Sequence, residues 1–223
     1  MTRWSYERIQ ELLAQFVGTE GSDDPKERKR RRIIAAASEL FVKHGYRKTS
    51  LEDVARKAHV AKGTLYLYFK NKADLFVHVI ALEKAEYLVC MKPIFDEDMD
   101  PEVRLRRFLA AGLEMVTRMP LVSRLNAGNS ELQMVLDEMD PEMMQQNMAS
   151  GLDMYRGLLE DFAEAGGWTE EELDERTRAL TSMMMASTQL MDERLRGSIS
   201  VERYAQVLAD VLVMGFVPRG GKA

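Results

Sequence analysis

The sequence predicts an all-α protein, a small three-helix module at the N-terminal end followed by a larger helical domain. Three observations predict it. Apolar residues recur three and four apart along nearly the whole chain, the period of a helix with one buried face. There are only six prolines in 223 residues, and three follow an aspartate at Asp24-Pro25, Asp100-Pro101 and Asp140-Pro141, the pattern that opens a helix. Ser50 with Asp53 and Thr169 with Glu172 have the spacing of capping boxes.

Composition narrows the class. Hydrophobic residues make up 46% and charged residues 30% of the chain, as in a globular protein. No run approaches the ~18 apolar residues of a membrane span, and residues 1–20 carry charges throughout, unlike a secretory leader. The single cysteine excludes an internal disulfide and fits a reducing, cytoplasmic compartment.

In order along the chain, Trp4, Ile9, Leu12, Leu13 and Phe16 form a helical apolar stripe, and Gly18 to Asp23 reads as a linker. Residues 1–24 are thus an N-terminal extension. Asp24-Pro25-Lys26-Glu27 opens a helix that buries Ile33, Ile34, Ala37, Leu40 and Phe41 and ends at His44-Gly45. Ser50 caps a short helix carrying Leu51, Val54, Ala55 and Ala58. The pattern breaks at His59-Val60 and resumes at Lys62, with Leu65 and Phe69 on one face. Asn71, with Asp74, caps a helix to about Cys90, ended or broken at Met91-Lys92-Pro93. Further helices start at Asp100-Pro101 and, after a boundary at Pro120 and an apolar segment to Met139, at Asp140-Pro141. Gly166-Gly167 stops the latter. The last two helices span about 170–196 and 201–216, the second capped by Ser200, with more apolar residues than one core-facing stripe needs.

Two short helices at a fixed angle, the second exposing Lys, Thr and Tyr, make a helix-turn-helix, which presents a helix to the DNA major groove. Charge supports this independently. Residues 25–72 hold 14 Lys and Arg against 4 acidic residues, leaving 17 against 32 in the rest of the chain. One basic island in an acidic protein is what a localised polyanion-binding surface needs. Lys26, Arg28, Lys29, Arg30, Arg31 and Arg32 crowd a helix start, where cations oppose the dipole; they read as phosphate attraction or as a solvated face. The N-terminal stripe reads as a packing helix or partly disordered arm, or as a helix reaching DNA through Arg3 and Arg8.

Thr49-Ser50, Val54-Ala55, Lys62-Gly63-Thr64-Leu65-Tyr66, Tyr68-Phe69 and Lys72 stand at the spacing of one known signature. Over residues 25 to 75 the chain resembles the TetR family of bacterial regulators. The resemblance implies a DNA-binding domain at 25–72 and a helical regulatory domain at 73–223. It also implies a homodimer through a four-helix bundle of the C-terminal helices (about 170–216), a palindromic double-stranded operator, and repression relieved by a small-molecule effector acting through the helix from Asn71 to about Cys90, which links the two domains. Thr49 and Lys72 occupy positions that clamp the DNA backbone in that family.

The chemistry of the residues themselves assigns the rest of the DNA-reading set. Lys62 can donate to guanine and Thr64 can reach a base edge. Gly63 permits close backbone approach, and Leu67 can meet a thymine methyl. Tyr66 and Tyr68 can donate to phosphate oxygens, with a core role for Tyr66 as the alternative. Ala61 belongs to the same surface but stands where serine often caps the second helix, so a cap and a phosphate contact are lost. His59 stands where glycine is usual, and would be strained if the turn needs positive φ.

All fifteen methionines after the first lie between Met91 and Met214. Methionine is flexible and polarizable, suited to varied apolar partners. Met115, Met119, Met144, Met148, Met184, Tyr155 and Gln189 are therefore candidates to line a pocket for a hydrophobic or amphipathic effector, and a Met-rich core or dimer interface is the alternative. The three histidines have no nucleophile or carboxylate partner at motif spacing, and no phosphate loop or zinc pattern occurs. No catalytic residue, metal ligand, cofactor or membrane contact is therefore expected. Two alternatives keep the fold: a DNA-binding protein whose C-terminal domain binds a protein partner, or one that senses redox state through Cys90.

Overall fold

The structure is a computed structural model that describes residue 14 and residues 23–96, 99–137 and 141–216, without the side chains of 96, 133–134, 136–137 and 141–151. The expected N-terminal stripe and linker lie outside the described residues, save Ala14. All regular elements among the described residues are helices. They pack into two units, residues 23–89 with 119–137, and residues 90–118 with 142–216.

The first unit holds the predicted three-helix module. Helix α1 (Pro25–His44) starts as expected, with the Asp24 carboxylate accepting from the Lys26 N–H at 2.9 Å. It ends where the Gly45 N–H donates to the Phe41 carbonyl, Gly45 taking φ +83°. Helix α2 (Leu51–Lys57) begins with the full Ser50–Asp53 capping box. Helix α3 (Lys62–Leu65) is a single turn followed by turns through Tyr68, shorter than the helix expected to Phe69. Helix α4 (Lys72–Asp96) starts with Asn71 Oδ1 accepting from the Asp74 N–H at 2.8 Å. Helices α6 (Pro120–Asn126) and α7 (Ser130–Asp137) complete the unit.

One core joins these elements. Ile33, Ile34 and Phe41 of α1, Val54 of α2, Leu65, Phe69, and Leu75, Phe76 and Val79 of α4 are buried together with Leu121, Leu132 and Val135 of α6 and α7. Phe41, Tyr46 and Phe76 form a ring triangle with centroids 5.4–5.6 Å apart. Sequence assigned residues 120–137 to the regulatory domain, yet they finish the core of the DNA-binding module. A module of ~50 residues buries a small fraction of its surface and is marginal by itself, and Leu121, Leu132 and Val135 of α6 and α7 add to its core. Polar contacts fix them there. The buried Glu83 carboxylate of α4 accepts from the N–H groups of Leu121 and Val122 at 3.1–3.2 Å. Arg124 donates to the Val42 carbonyl at the end of α1 (3.2 Å), and Glu131 accepts from the Arg47 N–H in the loop after it.

The second unit contains the end of α4, with α5 (Pro101–Arg118), α8 (Pro141–Gly166), α9 (Glu170–Met185), α10 (Ser187–Leu190), α11 (Glu193–Arg196) and α12 (Val201–Met214). Leu105, Phe108, Leu109 and Leu113 of α5 are buried, and α12 buries Ala205, Ala209 and Val213. Small residues at four-residue spacing let α12 lie close along α5. Arg106 ties the pair, with Nε 2.6 Å from Asp210 of α12 and Nη2 2.7 Å from Glu102. The Thr169–Glu172 box caps α9 and Ser200 caps α12, as the sequence predicts.

Two expectations about continuity fail. Helix α4 does not end at Pro93 but runs through it to Asp96. Proline leaves the carbonyl four residues back without its helical donor, and that residue, Val89, is 54% exposed, where water can serve it. The helix expected over 170–196 is three helices, with breaks at Ala186 and at Met191-Asp192. Thr177, Thr181 and Ser182 return their hydroxyls to carbonyls one turn back, a habit that bends helices. Asp192 then starts α11 by accepting from the Arg194 N–H at 2.8 Å.

Candidate nucleic-acid interface

The reading segment is built from the core outward. Leu65 is 1% and Phe69 3% exposed, so the backbone between them is fixed from beneath. The Phe69 ring also meets His78 of α4 edge-on at 5.1 Å. With these two anchored, the residues between point away from the core. Leu67 is 79% and Tyr66 52% exposed. Ala61, Lys62 and Gly63 are exposed as well, and Thr64 is half-buried. A Cβ at Gly63 would meet nothing within 4 Å, so this glycine leaves open space at the surface. Tyr66 therefore has no core role. Tyr68 differs, half-buried with its ring 6.2 Å from Phe69.

The departures noted in the sequence have structural counterparts. His59 has φ +51°, the only positive φ at a non-glycine among the described residues. Ala61 is the N-cap of α3 and makes no side-chain cap bond.

Thr49 and Lys72 do not present free polar groups at the surface. Thr49 is 2% exposed, and its hydroxyl donates to the Gly45 carbonyl at 2.8 Å and the Leu40 carbonyl at 3.2 Å. The Lys72 ammonium donates to the carbonyls of Tyr46 (3.0 Å) and Thr49 (3.2 Å) and lies 4.1 Å over the Tyr46 ring. An isolated loop would leave those carbonyls facing water. Here the start of α4 closes over the loop before α2 and the lysine satisfies them. In this conformation these contacts tie the start of α4 to the loop before α2.

Lys62 is not isolated either. Its ammonium pairs with the Glu52 carboxylate of α2, both side chains about half exposed. That hydrogen bond holds the Glu52 carboxyl below and the Lys62 ammonium above their ordinary ranges. Of the helix-start cations, Lys26, Arg28, Lys29 and Arg32 are exposed, and Arg30 and Arg31 half-buried.

The residues proposed to line an effector pocket are only partly gathered. In the second unit, Met115 is half-buried on α5, and Tyr155 of α8 sets its ring edge-on to Phe108 at 5.8 Å. Phe108 meets Phe95 at 5.9 Å. Burial pushes the Tyr155 phenol up, so it stays a neutral hydroxyl. Met184 is 4% exposed, and a Cβ on Gly112 would fall 2.5 Å from its Cε. Gln189 is exposed, and Met119 is buried in the first unit. The side chains of Met144 and Met148 lie outside the described ones. Cys90 is exposed on α4 and not the packing residue a lone cysteine usually is.

Sequence reasoning missed Glu83, Glu52 and Tyr46. Glu83 left a signal, an acid one turn after Val79 on the buried face of α4. Tyr46 and Glu52 left none, because their partners are remote in sequence.

A family model described as "Bacterial regulatory proteins, tetR family" matches residues 33–79. The chain is 31% identical over 138 residues to an uncharacterized HTH-type transcriptional regulator of Bacillus subtilis, YhgD, covering 60% of this chain and 69% of that one. It is 27% identical over 105 residues to the fatty acid metabolism regulator protein of the same organism, covering 46% of this chain and 54% of that protein. Its fold matches a crystal structure of a TetR/AcrR-family transcriptional regulator from Thermobifida fusca with TM-score 0.64, over 83% of this chain and 97% of that one at 22% identity. No helix among the described residues is long and apolar enough to cross a membrane, and no group of three acidic, His or Cys side chains among them could hold a metal ion.

Proposed function

This chain belongs to the TetR family of bacterial regulators, and we propose that it is a cytoplasmic repressor that binds a palindromic operator as a homodimer and is released by a hydrophobic or amphipathic small molecule. Its similar proteins are transcriptional regulators with a DNA-binding helix-turn-helix, not enzymes. The observation that carries the reading is exposed Tyr66 and Leu67, held between two buried anchors, Leu65 and Phe69, with Lys62 and Gly63 exposed just before them. Lys62 and Thr64 are the base-reading candidates and Leu67 the thymine-methyl contact. Ala61, Tyr66 and Tyr68 line the same segment. Thr49 and Lys72 act by holding the loop that carries α2, and meet phosphates only if Lys72 exchanges its carbonyl partners.

Two further features support the finer points. On α12, Val207, Val211 and Met214 are exposed at 36%, 63% and 72%, one turn apart on one face, with Met183 and Met185 of α9 exposed as well. A single chain leaves that stripe wet, and a second copy would cover it. The Phe95–Phe108–Tyr155 ring series, in the same unit as Met115 and Met184, has the apolar character an effector of this class needs. The regulator of fatty acid metabolism among its relatives makes a fatty acyl compound the first class to test.

The test is selection of duplexes from a random-sequence pool by the full chain, then footprinting of the enriched sequence. A palindromic footprint supports the reading, and enrichment of no sequence defeats it. Acyl compounds that raise the thermal midpoint must also weaken operator binding, or the release mechanism is wrong.

A further inference from the structure

The pairing of Glu52 with Lys62 has a consequence for how DNA is chosen. Lys62 is the first residue of α3 and the one cation among the base-reading candidates. Glu52 lies in the first turn of α2, where the unpaired N–H groups of a helix start favour a carboxylate. A cation at the head of α3 has the opposite preference, and Ala61 adds no capping side chain to relieve it. The Glu52 carboxylate neutralises that cation, and both side chains remain open to solvent, Glu52 57% and Lys62 49% exposed. The other acid of that turn, Asp53, is held by Ser50 and Arg56.

The Lys62 ammonium has three donors. A guanine edge offers two acceptors, O6 and N7, in fixed positions, and can take two donors while Glu52 keeps the third. A non-cognate step lacks that pair of acceptors, and its phosphates draw Lys62 away only by breaking the pair and leaving Glu52 beside them without a cation.

We propose that Glu52 is a specificity-determining residue, a restraint on Lys62 that penalises DNA lacking the base pair Lys62 reads. This is discrimination by disfavouring the wrong partner rather than by improving the right one. It rests on the DNA-binding reading above.

The experiment measures affinities of the full chain for the duplex it selects from a random pool and for a scrambled duplex of equal length. It uses the native protein, Glu52→Gln, Lys62→Met and the double variant, with thermal unfolding to show that each folds. Glu52→Gln should tighten scrambled-duplex binding by about tenfold per dimer and selected-duplex binding by less than about threefold. The specificity ratio therefore falls. In the Lys62→Met background the same change should leave the ratio unmoved. Equal tightening on both duplexes is a plain charge effect and overturns the proposal. So does weakened binding to the selected duplex alone, which would make Glu52 a direct base contact. If no duplex is enriched at all, the DNA-binding reading fails and the proposal falls with it; enrichment with an unchanged ratio sinks the proposal alone.

Discussion

Glu83 of α4 accepts hydrogen bonds from the Leu121 N–H through both carboxylate oxygens, at 3.2 and 3.1 Å, and so caps a helix 38 residues away in the chain. Val122 donates to the same carboxylate at 3.1 Å. The contact seats α6, whose Leu121 shares one core with Leu65 and Phe69. Burial pushes the Glu83 carboxyl up from its ordinary range, with the two backbone bonds opposing the shift. A carboxyl raised in the folded state holds its proton more tightly there than when unfolded. Its contribution therefore favours folding at pH below its ordinary value of 4.5, and that contribution is lost as pH rises through the folded value. Glu83→Gln keeps an acceptor and removes this dependence. Denaturant titrations at stepped pH should show a descending component in the native protein that is absent in Glu83→Gln. Glu83→Ala, which leaves two buried donors unpaired, should cost about 2–4 kcal/mol at pH 7.

Thr49 holds the turn before α2 by donating to Gly45 and Leu40. Thr49→Val keeps the shape and removes both bonds, so it should destabilise by about 1–2 kcal/mol. Thr49→Ser keeps the hydroxyl and should cost less. The check is urea unfolding, alongside DNA binding measured well below the unfolding midpoint. If Thr49→Val loses DNA affinity with no loss of stability, Thr49 is a DNA contact instead.

His59 is held at φ +51°, a region where a Cβ is crowded and glycine is not. His59→Gly should raise stability by about 0.5–1 kcal/mol, read as a higher urea midpoint with unchanged slope. An unchanged or lower midpoint would mean that His59 makes a contact outweighing the strain.

Val211 is 63% exposed at the centre of the apolar stripe of α12. If this stripe is the seam of the proposed homodimer, Val211→Glu should give monomers in sedimentation at micromolar concentration while the helical signal is kept. Operator affinity should fall with it, because one reading segment makes too few contacts alone. A variant that stays dimeric places the interface elsewhere.

Much of the fold was legible because its signals are local. Caps depend on residues two or three apart, so Asp24, Ser50, Asn71, Thr169 and Ser200 start helices where the spacing says they should. The reading segment was legible too, since Leu65 and Phe69 declare their buried face by spacing. What escaped depends on distant partners. Lys72 has one sequence whether it meets phosphate or the Tyr46 and Thr49 carbonyls, and only the fold brings those within 3.2 Å. Residues 120–137 look like any amphipathic stretch, and which core they join is decided by Glu83, Arg124 and Glu131. The break at Ala186 escaped because hydroxyl back-bonding weakens a helix without proline or glycine to mark the place.

The most direct measurement is the affinity of the full chain for its selected duplex and for a scrambled duplex across stepped salt, by fluorescence anisotropy. Phosphate neutralisation makes the logarithm of affinity fall linearly with that of salt, with a slope of about −0.9 per phosphate neutralised, and base reading adds a preference of at least about 10³ for the selected duplex at physiological salt. Lys62→Ala should shrink that preference, while Lys72→Ala should weaken both duplexes alike. Equal affinity for the two duplexes, or binding indifferent to salt, would contradict a protein that reads DNA through Lys62, Thr64 and Leu67.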